Sequence, residues 1–315
     1  MSATSDRLVF DNVSKFYGEV LGINRVDLTI PPGITSLVGP NGSGKTTIMN
    51  LMTGLLQPSH GEIRMLGIRP DRPEKLFRHM GYCTQYDSFP KATNGTQFLY
   101  NYLRVHGHPH ARAMEMTERA IDRVGLADAA PRRVAGYSKG MRQRIKLAQA
   151  ICHDPTVLIL DEPLNGLDPM ARAEMIDLFR ELARAGQHIV ISSHILHEVD
   201  LISDQVILLN EGYVVAEGDI HDVRTEMSGK PLQILVRCDK PGLLASKVFE
   251  HESTVEARMH EDGGGILVST KDADRFLIAF NRMVLDNEIR VESVTPADAD
   301  VHAVYQYLIT QESEA

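Results

Sequence analysis

Gly39-Pro40-Asn41-Gly42-Ser43-Gly44-Lys45-Thr46-Thr47 combines a glycine, four residues, a second glycine, a lysine and a threonine. It lies between an apolar run, Ile34-Thr35-Ser36-Leu37-Val38, and a helix-prone run, Ile48-Met49-Asn50-Leu51-Met52. Strand, loop and helix in that order are what a phosphate-binding loop requires. Glycines let backbone N–H groups turn inward around phosphate oxygens, a helix starting near Lys45 adds its positive end, and Lys45 supplies a full charge. Thr46 is placed to ligate magnesium. The stretch therefore predicts a nucleoside triphosphate site from Gly39 to Thr47; the plainer reading is a glycine-rich turn that ends a strand.

Composition narrows what surrounds this loop. The chain has 315 residues, enough for about two domains and an ample core. Its formal charge is −9, and lysine and arginine form no block long enough to track a phosphate backbone, so nucleic acid is not an expected partner. Cys83, Cys152 and Cys238 lack the paired spacing of zinc or redox motifs and read as packing residues in a reduced compartment. Apolar runs such as Thr156-Val157-Leu158-Ile159-Leu160 have strand length, and Met1-Ser2-Ala3-Thr4-Ser5-Asp6 is not a signal peptide. A cytoplasmic protein is expected, and any lipid-embedded part would belong to another polypeptide.

From Leu8 to about Asp222, strand-like runs alternate with helical patterns, which predicts an α/β domain with a largely parallel sheet and a ligand site at its strand ends. Val157-Leu158-Ile159-Leu160 ends in Asp161-Glu162-Pro163, so two carboxylates emerge where a buried strand stops. Asp161 is read as holding magnesium through water and Glu162 as polarising an attacking water, against the alternative of a solvated turn. His188-Ile189-Val190-Ile191-Ser192-Ser193 ends in His194, a candidate γ-phosphate sensor or a satisfied half-buried histidine. Tyr137-Ser138-Lys139-Gly140-Met141 precedes a helix with Met141, Ile145, Ala148 and Cys152 on one face. Ser138 is its expected N-cap, and that helix end either faces an anion or is simply capped.

Together these residues resemble the ATP-binding subunit of an ABC (ATP-binding cassette) transporter, over about residues 7 to 222 and in that family's motif order. The resemblance implies a phosphate-loop NTPase cassette spanning 1–222, with a helical subdomain over about 86–155 that cups a helix of a membrane subunit. It implies ATP and Mg2+, with Thr46, Gln85 and Asp161 about the metal and Tyr17 stacked on adenine. Glu162 becomes the catalytic carboxylate, His194 the switch histidine, and Asn165-Gly166-Leu167-Asp168 the loop through which two cassettes sense each other. Ser138, Lys139, Gly140 and Met141 fall in the family's signature, whose commonest form has leucine, serine, two glycines and glutamine at 137 to 141. Tyr137, Lys139 and Met141 depart from it, in a variant similar to one frequent in exporter-type subunits; Lys139 either adds a charge to the partner's nucleotide or points to solvent, the second reading being the favoured one.

In this family, the phosphate loop of one cassette and the signature of another close on the same ATP. The resemblance therefore implies that Lys45, Asp161 and Glu162 of one chain work with Ser138 of a second copy or a related cassette. It further implies polytopic permease subunits as partners and a peripheral place on the cytoplasmic face of the cell membrane. The function implied is an ATP-hydrolysing motor, of exporter type. Two alternatives belong to other classes: a soluble ABC ATPase acting on ribosomes or nucleic acid, and a regulatory ATP-binding protein that never hydrolyses. One cassette with an acidic balance argues against the first, and Glu162 with His194 against the second. Where many relatives carry a glutamate, Thr93-Asn94-Gly95-Thr96-Gln97 has no carboxylate.

Beyond a linker over 223–230 the pattern changes. Leu232 to Arg237 reads as a strand, Leu243 to Phe249 as a helix, Val255, Ala257 and Met259 as a half-buried strand, and Ile266 to Ser269 as another behind Gly263-Gly264-Gly265. Phe276, Phe280 and Val284 mark a helix, Ile289 and Val291 a strand, and Val301, Val304, Tyr305 and Leu308 a last helix. That order predicts a small α+β, ferredoxin-like domain over 231–315, which resembles tails on exporter-type ATP subunits; its role is read as a dimer-stabilising or spacing module, the alternative being regulation by a small molecule.

Overall fold

The computed structural model describes residues 7–90, 92–193, 199, 201–219, 232–249, 251–260 and 262–296. Its elements in chain order are β1 (Leu8–Tyr17), β2 (Val20–Ile30), β3 (Gly33–Val38), α1 (Lys45–Met52), β4 (His60–Met65), α2 (Pro73–Leu76), β5 (Met80–Cys83), α3 (Gly95–Val105), α4 (His110–Arg123), α5 (Lys139–Ile151), β6 (Val157–Asp161), α6 (Pro169–Arg184), β7 (His188–Ser193), β8 (Gln205–Asn210) and β9 (Tyr213–Asp219). There follow β10 (Leu232–Cys238), α7 (Pro241–Phe249), β11 (Thr254–Met259), β12 (Gly265–Thr270), α8 (Ala273–Asp286) and β13 (Val291–Pro296). The residues form two compact units, the first ending at Asp219 and the second taking up the chain from Ile220. Within 223–230 and 301–308, the expected linker and last helix lie outside the described residues, as does His194.

The first unit holds a six-stranded sheet in the order β5-β6-β7-β3-β8-β9, parallel throughout except that β9 returns antiparallel beside β8. Every residue of β6 and β7 is buried, as a parallel sheet covered on both faces demands. Successive side chains of β6 serve opposite faces: Leu158 and Leu160 join the core built with α3 to α6, whereas Val157 and Ile159 join the core around α1, β1 and β2. Burying a Leu or Ile side chain contributes about 1.5–3 kcal/mol, so these strands anchor what hangs from their ends. In one respect the sheet is less parallel than its sequence suggests. β1, β2 and β4 form a separate antiparallel sheet, because β1 and β2 are joined through a tight turn in which Gly18 takes a positive φ of 63°.

The second unit runs β10, α7, β11, β12, α8, β13 with strand order β11-β12-β10-β13, every neighbour antiparallel. Its own core gathers Ile234, Val236, Leu244, Val248, Ile266, Val268, Phe276 and Phe280. The expected half-buried strand over 254–259 is more exposed than its alternation suggests. Ala257 packs on the core, while Val255 and Met259 are 46% and 47% exposed, since this strand lies at a sheet edge.

Candidate active site

Three loops leave the carboxyl ends of β3, β5 and β6 and, with Ser192 near the end of β7, bring polar groups to one place. After β3 the chain turns through Gly39 to Gly44 into α1. Gly42 and Gly44 take φ of 85° and 109°, the left-handed region glycine tolerates without strain. A Cβ on Gly44 would fall 2.9 Å from Ile23 Cγ2 and 3.0 Å from the Gly22 carbonyl oxygen, so a side chain has no room there. Lys45 Nζ folds back over the loop, donating to the carbonyl oxygens of Gly39 at 2.6 Å and Pro40 at 2.8 Å. Burial lowers its pKa, while the charges of Glu162 and Asp161 act to raise it. Ser43 Oγ is buried without a hydrogen-bond partner, an orphan donor of the kind an anion's oxygen would satisfy. Four features therefore converge: backbone N–H groups at a helix start, a lysine, an unsatisfied hydroxyl and three glycines. Together they fit a polyphosphate.

Facing the loop, β6 ends in Asp161 and Glu162. Asp161 is 3% exposed and accepts a 2.6 Å hydrogen bond from Ser192 Oγ at the end of β7. Burial raises its pKa, with the Glu162 charge acting the same way; the Ser192 bond, the Lys45 charge and a hydrogen bond from Thr46 oppose the rise. Ser192 Oγ also accepts the Glu162 backbone N–H at 2.8 Å. One hydroxyl thus ties both acidic residues to the adjacent strand. Glu162 has φ of 47°, a left-handed conformation that costs a non-glycine residue about 1 kcal/mol or more and is held here by its neighbours. Its Oε2 accepts from Gln85 Nε2 at 3.4 Å and from Asn165 Nδ2 at 3.2 Å. Asp161, Thr46 and Gln85 offer a carboxylate, a hydroxyl and an amide oxygen, the hard donors that Mg2+ takes along with water. Among the described residues no group of three or more His, Cys, Asp and Glu could hold a metal by itself, so a cation here would need phosphate and water to complete its shell.

Lys45, Thr46, Gln85, Asp161 and Glu162 are thus linked as the sequence suggested. Tyr17, at the end of β1, is 46% exposed; its hydroxyl lies 3.3 Å from Thr47 Oγ1 and Lys15 Nζ sits 5.7 Å from the ring centroid. The half-exposed ring thus stands beside the phosphate loop, with Lys15 over one face. Ser138 caps α5, accepting the Met141 N–H at 3.2 Å. Lys139 is exposed and donates to Asn165 Oδ1 at 3.3 Å, so it is tied to the 165–168 loop rather than simply solvated. Asp168 caps α6 through the Ala171 N–H at 2.9 Å, and Leu167 is buried in the core. Two residues went unassigned in the sequence reading. Ser192 ended the β7 run, and its place beside the acidic strand end was the available signal. Lys146 lies on the buried side of α5, where it donates to the carbonyl oxygens of Thr84 at 3.0 Å and Gln85 at 3.1 Å and pairs with Asp87 at 3.2 Å. It fixes the loop that carries Gln85.

Residues 23–165 match the protein family described as "ABC transporter". The chain is 30% identical over 302 residues to the bacitracin transport ATP-binding protein BcrA of Enterococcus faecalis, covering 95% of each chain. It is 34% identical over 214 residues to the Nod factor export ATP-binding protein I of Burkholderia orbicola (strain AU 1054), covering 67% of this chain and 70% of that one. A solved ATP-binding subunit of an ABC transporter superposes with a TM-score of 0.65 at 26% identity, over 70% of this chain and 93% of its own.

Proposed function

We propose, for a chain that belongs to the family of ABC transporter ATP-binding proteins, an ATP-driven export motor that moves a substrate through separate membrane subunits. Family membership makes it an ATPase, and the fold is that of the cassette. The observation that carries the residue roles is the joining of Asp161, Ser192, Glu162, Gln85 and Asn165 at the ends of adjacent strands, within electrostatic reach of Lys45.

In this reading Gly39 to Thr47 hold the triphosphate, with the start of α1 and Lys45 stabilising charge as it builds on the transferring phosphoryl group. Tyr17 stacks on the base. Glu162 accepts a hydrogen bond from the attacking water, whose oxygen bonds to the γ-phosphorus as the bond to the bridging oxygen breaks; the water's proton passes to Glu162 or onward to phosphate. Asn165 and Gln85 hold that carboxylate against drift, and Ser192 holds the Glu162 backbone N–H. Thr46, Asp161 and Gln85 would hold Mg2+, which supplies charge neutralisation on the phosphates. Ser138, at the capped start of α5, serves the nucleotide of a second cassette, so hydrolysis needs two chains. His194 closes the site as a γ-phosphate sensor.

The partners proposed are a second cassette and polytopic permease subunits at the cytoplasmic face of the membrane. No helix among the described residues is long and apolar enough to cross a bilayer, consistent with a peripheral subunit. The second unit's βαββαβ order and the strand order β11-β12-β10-β13 support a ferredoxin-like accessory domain. A soluble ATPase of ribosomes or nucleic acid is disfavoured, because a transport relative aligns over 95% of the chain. Steady-state ATPase assays on the purified chain test the residue roles. Glu162→Gln should lower kcat by about 10²–10⁴-fold while ATP binding persists, the range for loss of a general base; equal rates in the two proteins would overturn the assignment.

A further inference from the structure

Lys139 stands at the start of α5 and Glu162 just beyond β6, yet two hydrogen bonds connect them. Lys139 Nζ donates to Asn165 Oδ1 at 3.3 Å, and Asn165 Nδ2 donates to Glu162 Oε2 at 3.2 Å. The amide of Asn165 thus has an ammonium at its oxygen end and a carboxylate at its nitrogen end, and each charge favours the same orientation. A flipped amide would turn its oxygen to the carboxylate and its NH2 to the ammonium, both unfavourable. Room for the lysine chain comes from Gly166, with φ of 79°, where a Cβ would fall 2.7 Å from both Cδ and Cε of Lys139. Gly140 packs tightly too, though less so, since a Cβ there would lie 3.2 Å from the Gly166 carbonyl oxygen. The start of α5 and the 165–166 loop therefore bear on each other at two glycines and one hydrogen bond.

We infer that Lys139 is a positioning residue, holding the Glu162 carboxylate of its own chain through Asn165. The inference rests on the proposed role of Glu162 in orienting water. Its consequence is directional. The segment that holds Ser138 for a second cassette's nucleotide is mechanically joined, in the same chain, to the carboxylate of the chain's own site. Displacement of the α5 start by an incoming nucleotide then shifts Asn165, and with it the carboxylate, so the two sites report on each other.

The test is steady-state ATP hydrolysis by the full chain and its Lys139→Met, Lys139→Arg, Asn165→Leu, Glu162→Gln and Lys139→Met/Asn165→Leu variants, with fluorescent ATP-analogue binding as a control for folding. Lys139→Met should lower kcat by about two- to fivefold, the scale of an exposed charged contact, with KM for ATP unchanged. Lys139→Arg should recover most of that loss, and the double variant should be no slower than Asn165→Leu alone. A change in KM without kcat, or losses that multiply in the double variant, would overturn the inference by showing that Lys139 acts apart from Asn165. If Glu162→Gln is inactive and Lys139→Met runs at the wild-type rate, only this inference fails. If Glu162→Gln hydrolyses like the wild type, the reading beneath it fails as well.

Discussion

The six-stranded sheet of the first unit and the four-stranded sheet of the second handle charge in opposite ways. At the ends of the parallel strands Lys45, Asp161 and Ser192 are buried, Lys45 bonding carbonyl oxygens of its own loop and Ser192 bonding Asp161, and the backbone of Glu162 is held in a left-handed conformation. In the antiparallel sheet of the second unit the buried residues are overwhelmingly apolar, and charges pair outside, as where Arg237 Nη2 and His260 Nδ1 meet Asp262 at 2.7 and 2.8 Å. Buried polar groups with strained backbone cost stability and persist where chemistry needs them. The first sheet is built around a reaction, and the second around its own core.

Substitutions should separate the two regions in that order. Lys45→Ala removes the ammonium that the proposed site offers to the phosphates, and ATP hydrolysis should fall by at least about a hundredfold in kcat/KM, as when one electrostatic stabiliser is lost. Phe276→Ala empties a fully buried position stacked against Phe280 at 5.9 Å and should cost the second unit about 3–5 kcal/mol. Hydrogen exchange would then show lost protection across 232–296 with 8–219 retained; loss in both regions would mean the cores are not separate.

A pH effect on stability is expected in the first unit at His153. His153 is buried at the end of α5, with its Nε2 near the Met80 carbonyl oxygen at 3.1 Å and the rings of Tyr102 and His106 beside it. Burial, reinforced by His106, pushes its pKa from 6.5 down to about 4, with the Asp154 charge opposing. The unfolded chain therefore binds this proton more readily. The stability contributed by the neutral imidazole is fully present above pH 6.5 and is lost as pH falls towards 4, by up to about 3 kcal/mol. Denaturant titrations of the wild type and His153→Leu at pH 7.5 and 4.5 should show a smaller decline in the variant; parallel declines would contradict the assignment. The smallest effect is expected at Asp262→Asn. Its contacts with the Gly264 N–H, His260 and Arg237 hold the carboxyl well below the usual range, but solvent screening of this exposed side chain leaves the second unit's unfolding midpoint nearly unchanged at neutral pH.

The same contrast explains what could be read in advance. Gly39 to Thr47 and Asp161-Glu162 were legible because phosphate binding demands particular residue types at a fixed spacing after a buried strand. The separate sheet of β1, β2 and β4 was not, since those runs alternate like any half-buried strand and the pairing partner depends on a turn at Gly18. Ser192 escaped notice because its role depends on register, Asp161 standing directly beside it across β6 and β7. Lys139 was expected in solvent; it meets Asn165 because Gly166 leaves space that no local pattern announces. In the second unit, periodicity located the strands and helices, but exposure along β11 followed from its edge position.

The most direct test of the transport account is to purify tagged Glu162→Gln chain from native membranes in mild detergent with Mg-ATP and identify what accompanies it by mass spectrometry. The account predicts a polytopic membrane protein in stoichiometric amount, dependent on ATP. Recovery of ribosomal or DNA-bound proteins with no membrane protein would contradict it.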